Sequence, residues 1–385
     1  MNGRTSSKND GTITTKVVCA ISFLLFSFLW LYEFQADALS VAQHVMSQGI
    51  THYDKAVGSA ILLVVLMALQ FVVARLVHLP RRTYALSYFP SLLILAFLSD
   101  LQVDESRQVS ASAWLWLFPL LLMIWGVCVW LARQVLPFAN NQRQYVGVLS
   151  TRTWLNLVQM IVMMLFVALI SNTNAVYHYS AHAEVALAGN DFDEAVRVGD
   201  ESLETDERLT MLRAYALSRK GILADQLFSY PVKGTSQSLL PFSLKPLLLS
   251  EDSIWKHLGA RPHAEMPVER YYDLLEADSL ATPAVADYRL CGYLVDRNLD
   301  AFVRMLPAYY PLSDSLPLPR HYREALTLYQ HQAASPQTEY RDSLLEEQWT
   351  ALQQLKTAYT TDSERRYQIF ERFQKSYWYY YFYQR

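Results

Sequence analysis

Cysteine is all but missing: Cys19, Cys128 and Cys291 are the three in 385 residues. Two lie in apolar runs and the third stands alone, so no disulfide framework and no CxxC redox or zinc motif can be assembled. Glycine is scarce too, at 12. Phosphate-cradling loops need it, and neither a P-loop nor G-x-G-x-x-G is there; G-x-S-x-G and H-E-x-x-H are also missing. No cofactor and no metal site is expected. The second half also lacks basic charge. Residues 172–385 carry 22 Lys+Arg against 29 Asp+Glu, whereas residues 1–171 carry 11 against 7. An acidic half without a basic footprint argues against nucleic acid as a partner.

Long apolar runs are what the first half has. They cover about 17–32, 56–77, 84–99, 113–132 and 153–170. A bilayer core takes about 20 helical residues, so the first and third are slightly short, and Pro90 sits inside the third. Cys19 does not fit lipoprotein acylation, because Val18 is not small and the apolar run follows it. The first run passes into Tyr32, Glu33 and Phe34 without a small-x-small site close behind, although Ala36 and Ala38 are near. It reads as a retained span. With the N-terminus inside, Arg4, Lys8, Lys16, Arg75, Arg81, Arg82, Arg133, Arg143 and Arg152 fall on one side, and only Lys55 and Arg107 on the other. This bias predicts five spans. Trp30, Trp114, Trp116, Trp130 and Trp154 near the run ends read as an aromatic belt. Gln70, Asn156 and Gln159 are mild polar residues, and the paired acid and base of a proton relay are missing, which reads against a pump.

From Ala175 the pattern changes to amphipathic helices with short polar breaks. Ala183 and Ala186 occupy close-packing positions of one helix, Asn190 sits at a turn suited to a left-handed residue, and Phe192 and Ala195 follow on a second helix. Ala214, Leu217 and Gly221 repeat the theme. The stretch resembles tetratricopeptide repeats, whose helix–turn–helix unit is about 34 residues. Two positions depart from that pattern: Gly199 stands where a bulky residue is usual, and Gln226 where a small one is. A third hairpin is expected over Ala284–Tyr310, with Asn298 at its turn, and further helices over Tyr322–His331 and Leu344–Tyr359. Five spans followed by such an array resemble an uncharacterised family of bacterial multi-pass membrane proteins, a resemblance that implies an architecture and no activity.

Other features each have two readings. His178 and His182 are spaced for one metal, but no third ligand is visible and surface histidines are the default. Residues 172–207 hold nine acids and one base, Arg197. They form either an acidic partner face or the solvated side of helices. Residues 230–266, with an apolar run among prolines and Trp255 beyond, read as a loop packed on the array or as a lid. Tyr377–Tyr383 is an unbroken aromatic run. It reads as a terminal cap or as an element at the lipid headgroup level. Asp100, Asp104, Glu105 and Arg107 on an outer loop are where diffuse catalysis would be sought, though such loops are commonly only solvated.

The expectation is an all-α protein: a five-helix transmembrane domain, 1–171, and an extracytoplasmic helical-repeat-like domain, 172–385. Its partners would be the lipid bilayer and an envelope protein. In a bacterium the chain would sit in the inner membrane, N-terminus cytoplasmic and C-terminal domain periplasmic. A membrane-anchored scaffold is the leading function, and a membrane enzyme of envelope glycan or lipid metabolism the alternative.

Overall fold

The computed structural model describes residues 12–104, 106–111, 113–135, 150–242, 244–310, 318–333, 340–359 and 361–384. Arg4, Lys8, Glu105 and Arg143, weighed above, lie outside them. The chain divides into two compact units, Met1–Asn174 and Ala175–Arg385.

The first unit is built from α1 (Thr12–Leu29, prolonged by a π turn Trp30–Phe34), α2 (Ala36–Met46), α3 (Lys55–Val77), α4 (Phe89–Ser99), α5 (Trp114–Val135) and α6 (Thr151–Ile170). A two-stranded antiparallel ladder, β1 (Gln102–Val103) with β2 (Val109–Ser110), joins α4 to α5. Among the described residues four helices are long and apolar enough to cross a membrane: Ile13–Phe34, Lys55–Val77, Trp114–Gln134 and Thr151–Ile170. Ile61, Val64, Leu115, Ile124, Ile161 and Val162 on them face outward, as lipid-facing positions do.

The 84–99 run differs from the expected single helix. It is a 3-10 turn, Tyr84–Tyr88, followed by the 11 residues of α4, with Pro90 in the first turn. There the missing N–H of proline is not needed. Leu92, Leu93, Leu95 and Ala96 are buried, so α4 is packed among its neighbours. The polar residues of the spans hold the 3-10 turn. Asn156 accepts from the Ala85 amide at 2.8 Å and donates to the Arg81 carbonyl at 3.0 Å. Gln70 donates to the Tyr84 and Ser87 hydroxyls at 3.2 and 3.1 Å. In an apolar surrounding each freed backbone group needs such a partner.

The run keeps pace with its neighbours. Lys16 of α1 lies over the Tyr84 ring, and Trp30, at the far end of α1, donates to Ser99 at 2.8 Å. Asn156 of α6 holds Ala85, and the Asn172 amide reaches the Ser99 carbonyl at 3.2 Å. Between Lys16 and Trp30 an α-helix rises about 21 Å.

The second unit is α7 (Ala175–Ala188), α8 (Phe192–Arg197), α9 (Glu207–Arg219), α10 (Leu223–Gln226), α11 (Glu251–Leu258), α12 (Val268–Ala277), α13 (Ala284–Val295), α14 (Leu299–Tyr309), α15 (Arg320–Gln332), α16 (Ser343–Ala358), α17 (Asp362–Phe373) and α18 (Tyr377–Tyr383). One continuous core of buried residues runs from Ala183 to Tyr380. The first arms α7 and α9 have 14 and 13 residues, but their second arms α8 and α10 only 6 and 4. Gly199 accounts for the first truncation. Its φ is +61° and a Cβ there would meet Arg213 at 3.0 Å and Tyr179 at 3.1 Å. The chain turns left-handed where a bulky helical residue would have continued α8.

Candidate functional site

The hairpin turns of the second unit share one geometry. Asn190 has φ +59° and Gly221 φ +69°. Each is followed by an amide that reaches back five residues, Asp191 to Ala186 at 2.8 Å and Ile222 to Leu217 at 3.0 Å. Each also donates to the carbonyl three residues back. This is the Schellman arrangement, which satisfies the last helical carbonyls. The third hairpin places it one residue earlier than the turn assigned to Asn298. Arg297 takes φ +56°, and Asn298 caps α14 by accepting the Ala301 amide at 3.1 Å. Ala183, Ala186, Ala195, Ala214 and Leu217 are buried. Phe192 is half-buried under the Arg219 guanidinium, 4.3 Å from its ring centre.

The charged residues that matter most escaped the sequence reading. Glu184 is buried, and its carboxyl oxygens accept the amides of Leu247 and Leu249 at 2.9 and 3.0 Å, with Leu248 between them. Burial raises this carboxyl above its ordinary range, against the pull of those amides and Arg208. Glu184 thus pins the proline-rich 230–250 stretch, which is a packed segment: Leu239, Leu240, Leu247 and Leu249 are buried and Phe242 meets the Trp255 ring at 5.0 Å. Arg213 holds the end of α8 through the Val198 and Gly199 carbonyls at 3.2 and 3.0 Å, and burial lowers it to about 10. Arg289 of α13 gathers Glu269, Asp273 and Glu276 of α12 at 3.3, 2.7 and 3.1 Å.

Glu324 organises the aromatic tail. Its carboxylate takes Arg320 and His321 at 2.9 Å each and the Tyr377 amide at 2.7 Å. Burial opposes its charge, but His321, Arg320 and that amide outweigh it and hold the carboxyl low. At the other end of α18, Arg297 donates to the Tyr381 and Tyr380 carbonyls at 3.2 and 3.3 Å. An anion at the N-terminus and a cation at the C-terminus suit the helix dipole. The Tyr377 and Tyr380 hydroxyls donate to the last carbonyls of α13, Leu294 and Val295, at 3.2 and 2.7 Å. Tyr377, Trp378 and Tyr380 are buried. The tail packs as a cap over the helical core, with Tyr379, Tyr381, Phe382 and Tyr383 only partly covered.

A family profile matches residues 105–266 and 269–384, well over half of the chain. The chain belongs to DUF6057, a family of unknown function. No curated protein and no solved structure matches it. The DUF6057 match takes in β2, α5, α6 and nearly the whole second unit, so Glu184, Arg289 and Glu324 all fall within it.

The other candidates are spread out. His182 meets Glu194 at 3.1 Å, and among the described residues no group of three metal-ligating side chains forms. Asp191 and Asp206 cap α8 and α9, and Asp193 pairs with Lys220. Asp100 accepts from Trp114 at 2.8 Å; Asp104 accepts the Gln108 amide and the Ser106 hydroxyl at 2.8 and 2.7 Å inside the β1–β2 turn. The first unit has an apolar groove of about 420 Å³ between α2 and α3, with Gln43, His52 and Asp54 among its walls. Tyr53 lies across α3 there, and a Cβ on Gly58 would stand 2.3 Å from its ring.

Proposed function

We propose that this protein is a membrane-anchored scaffold whose helical unit binds a protein or another component of the cell envelope. The observation that carries the reading is how the helical unit uses its buried charges. Glu184 fastens a loop, Arg289 ties α12 to α13 and Glu324 fastens the tail, so the charges give a firm body whose outer faces are left to recognition. The Schellman turns support a degenerate tetratricopeptide-like array. Five crossings are part of the proposal, supported by the pace that 84–99 keeps with α1 and α6. The basic end would be cytoplasmic and the helical unit would follow on the opposite side, periplasmic in a bacterium. Reporter fusions after Arg82 should then read cytoplasmic, and fusions after Arg107 and Ser180 periplasmic. A cytoplasmic signal at Ser180 would overturn the topology.

Purification of the full chain from mild detergent after cross-linking in cells tests the activity. One protein recovered in constant proportion supports the scaffold. A retained lipid-linked sugar or acyl donor, with no protein, supports the second reading, a membrane enzyme of envelope lipid or glycan metabolism. The observation favouring that reading is the apolar groove with His52 and Asp54 at its walls.

A further inference from the structure

The groove between α2 and α3 changes character along its length. On α3 its lining passes from Asp54, at the N-cap, to Ile61 and Leu62, a rise of about 12 Å. Leu39 of α2 and Leu98 of α4 add to the apolar part. Its volume of about 420 Å³ lies in the range of ligand pockets. Met46, Val57 and Ile61 line it and are exposed. Val57 and Ile61 belong to a helix long and apolar enough to cross a membrane, so the groove opens onto a surface that meets lipid. An apolar slot on such a surface is filled by an acyl chain, which is what the surroundings supply.

The polar rim says which head goes with the chain. Asp54 accepts the Val57 amide with one oxygen at 2.8 Å, and among the described residues its other oxygen takes no hydrogen bond. Gln43 donates to the Thr51 hydroxyl at 3.0 Å, which leaves its carbonyl oxygen as an acceptor. A neutral His52 adds an accepting ring nitrogen. Tyr53 is seated over Gly58, where no Cβ could fit, and its hydroxyl meets Ser59 at 3.3 Å, so the rim is fixed by packing. No lysine or arginine stands among the described lining residues. The nearby Lys55 is held by Glu33 at 3.8 Å and lies 4.4 Å from the Tyr32 ring centre. A rim of acceptors with one negative charge welcomes hydroxyl donors and repels a phosphate.

We propose that this groove binds an uncharged, hydroxyl-headed lipid of the acylglycerol class, its chain along Ile61 and Leu62 and its head hydroxyls donating to Asp54 and Gln43. The assignment rests on the membrane reading of the first unit, which the reporter fusions test separately, and needs neither the scaffold nor the enzyme reading. The test is native mass spectrometry of the delipidated full chain titrated with dioleoylglycerol, phosphatidylglycerol or phosphatidylethanolamine. Dioleoylglycerol should fill one saturable site in preference to both phospholipids. Ile61→Trp, at an exposed position, should block the groove and weaken binding by about tenfold, one decade of affinity. Val64→Trp, equally exposed on α3 but outside the groove, should change it by less than about twofold. Asp54→Asn keeps a good N-cap but removes the charge. It should weaken dioleoylglycerol by about fivefold while phosphatidylglycerol gains, a change of opposite sign that damage to the fold would not produce. Equal effects at Ile61 and Val64, or uptake without saturation, would mean general partition into the lipid-facing surface and overturn the proposal. Preference for phosphatidylethanolamine would overturn the hydroxyl head in favour of an ammonium, and a dimer that excludes the lipid would give the groove to a second copy of the chain.

Discussion

Replacing Trp378 with alanine removes an indole that is 1% exposed and donates to the Glu324 carbonyl at 2.7 Å. Its ring meets Trp349 edge-on at 5.5 Å and Phe373 at 6.2 Å. A buried Trp→Ala change costs about 3–5 kcal/mol, chiefly in lost burial and the cavity left behind. The lost hydrogen bond adds roughly 1 kcal/mol. A total of about 5 kcal/mol lowers the melting temperature of a unit this size by roughly 10–20 °C. Calorimetry on the full chain in mild detergent, Trp378→Ala beside wild type, measures it. Half-buried Tyr383 supplies the control and should cost about a third as much. An unchanged melt, with weaker vesicle binding instead, would mean that the tail serves at the lipid surface and that the cap is misread.

Ala195→Phe should overpack the α7–α8–α9 junction and cost about 1–3 kcal/mol, while Glu204→Phe, at an exposed position, should cost less than about 0.5 kcal/mol; equal melts would contradict the packing. Glu184→Gln puts an amide NH2, a donor, where one of the two carboxyl oxygens accepts from the Leu247–Leu249 amides, and should cost about 1–3 kcal/mol. Hydrogen exchange at those three amides should accelerate, and unchanged protection would refute the pin. His257 has its ring nitrogen 2.8 Å from the Ser218 hydroxyl, and burial, with Arg219 adding, lowers it to about 4. The unfolded chain takes that proton first, near pH 6.5. This contribution is full above pH ~6.5 and is lost on acidification toward pH ~4; about 3 kcal/mol by the shift alone, it falls to on the order of 2 kcal/mol once solvent screening of the partly exposed ring is allowed for. His257→Gln should flatten that slope in melts across the range, and parallel slopes would sink the assignment.

Four of the apolar runs were legible as candidate spans because a helix apolar all round needs no partner to be recognised. The 84–99 run was legible as apolar, but its 3-10 start was not, since that depends on Asn156 and Gln70 reaching it from α6 and α3. Asn190 and Gly221 announce left-handed turns by residue type. Arg297 does not, because arginine rarely takes that conformation; its side chain reaches α18, which a local pattern cannot report. Helix α2 was missed for being short and carrying Asp37 and His44, and α11 for lying beyond a proline-rich stretch. Glu184 and Glu324 sit in otherwise apolar helix faces. That placement was the available signal, but their partners, about 60 and 50 residues away, are visible only in the fold.

The tail also changes what kind of object the helical unit is. Open repeat stacks touch only their neighbours, so they can fray from an end and lose one module at a time. Here the last helix returns to α13, to α15 and to Val232, whose amide meets Gln384 at 3.4 Å across 152 positions of sequence. Contacts of that reach form late, because a long loop must close before they are rewarded. Until α18 docks, the helical body stays unsealed. Without α18 the unit would present bare α13 carbonyls and the Phe228 face to passing proteases. Closure by α18 makes the unit open as a whole instead of module by module.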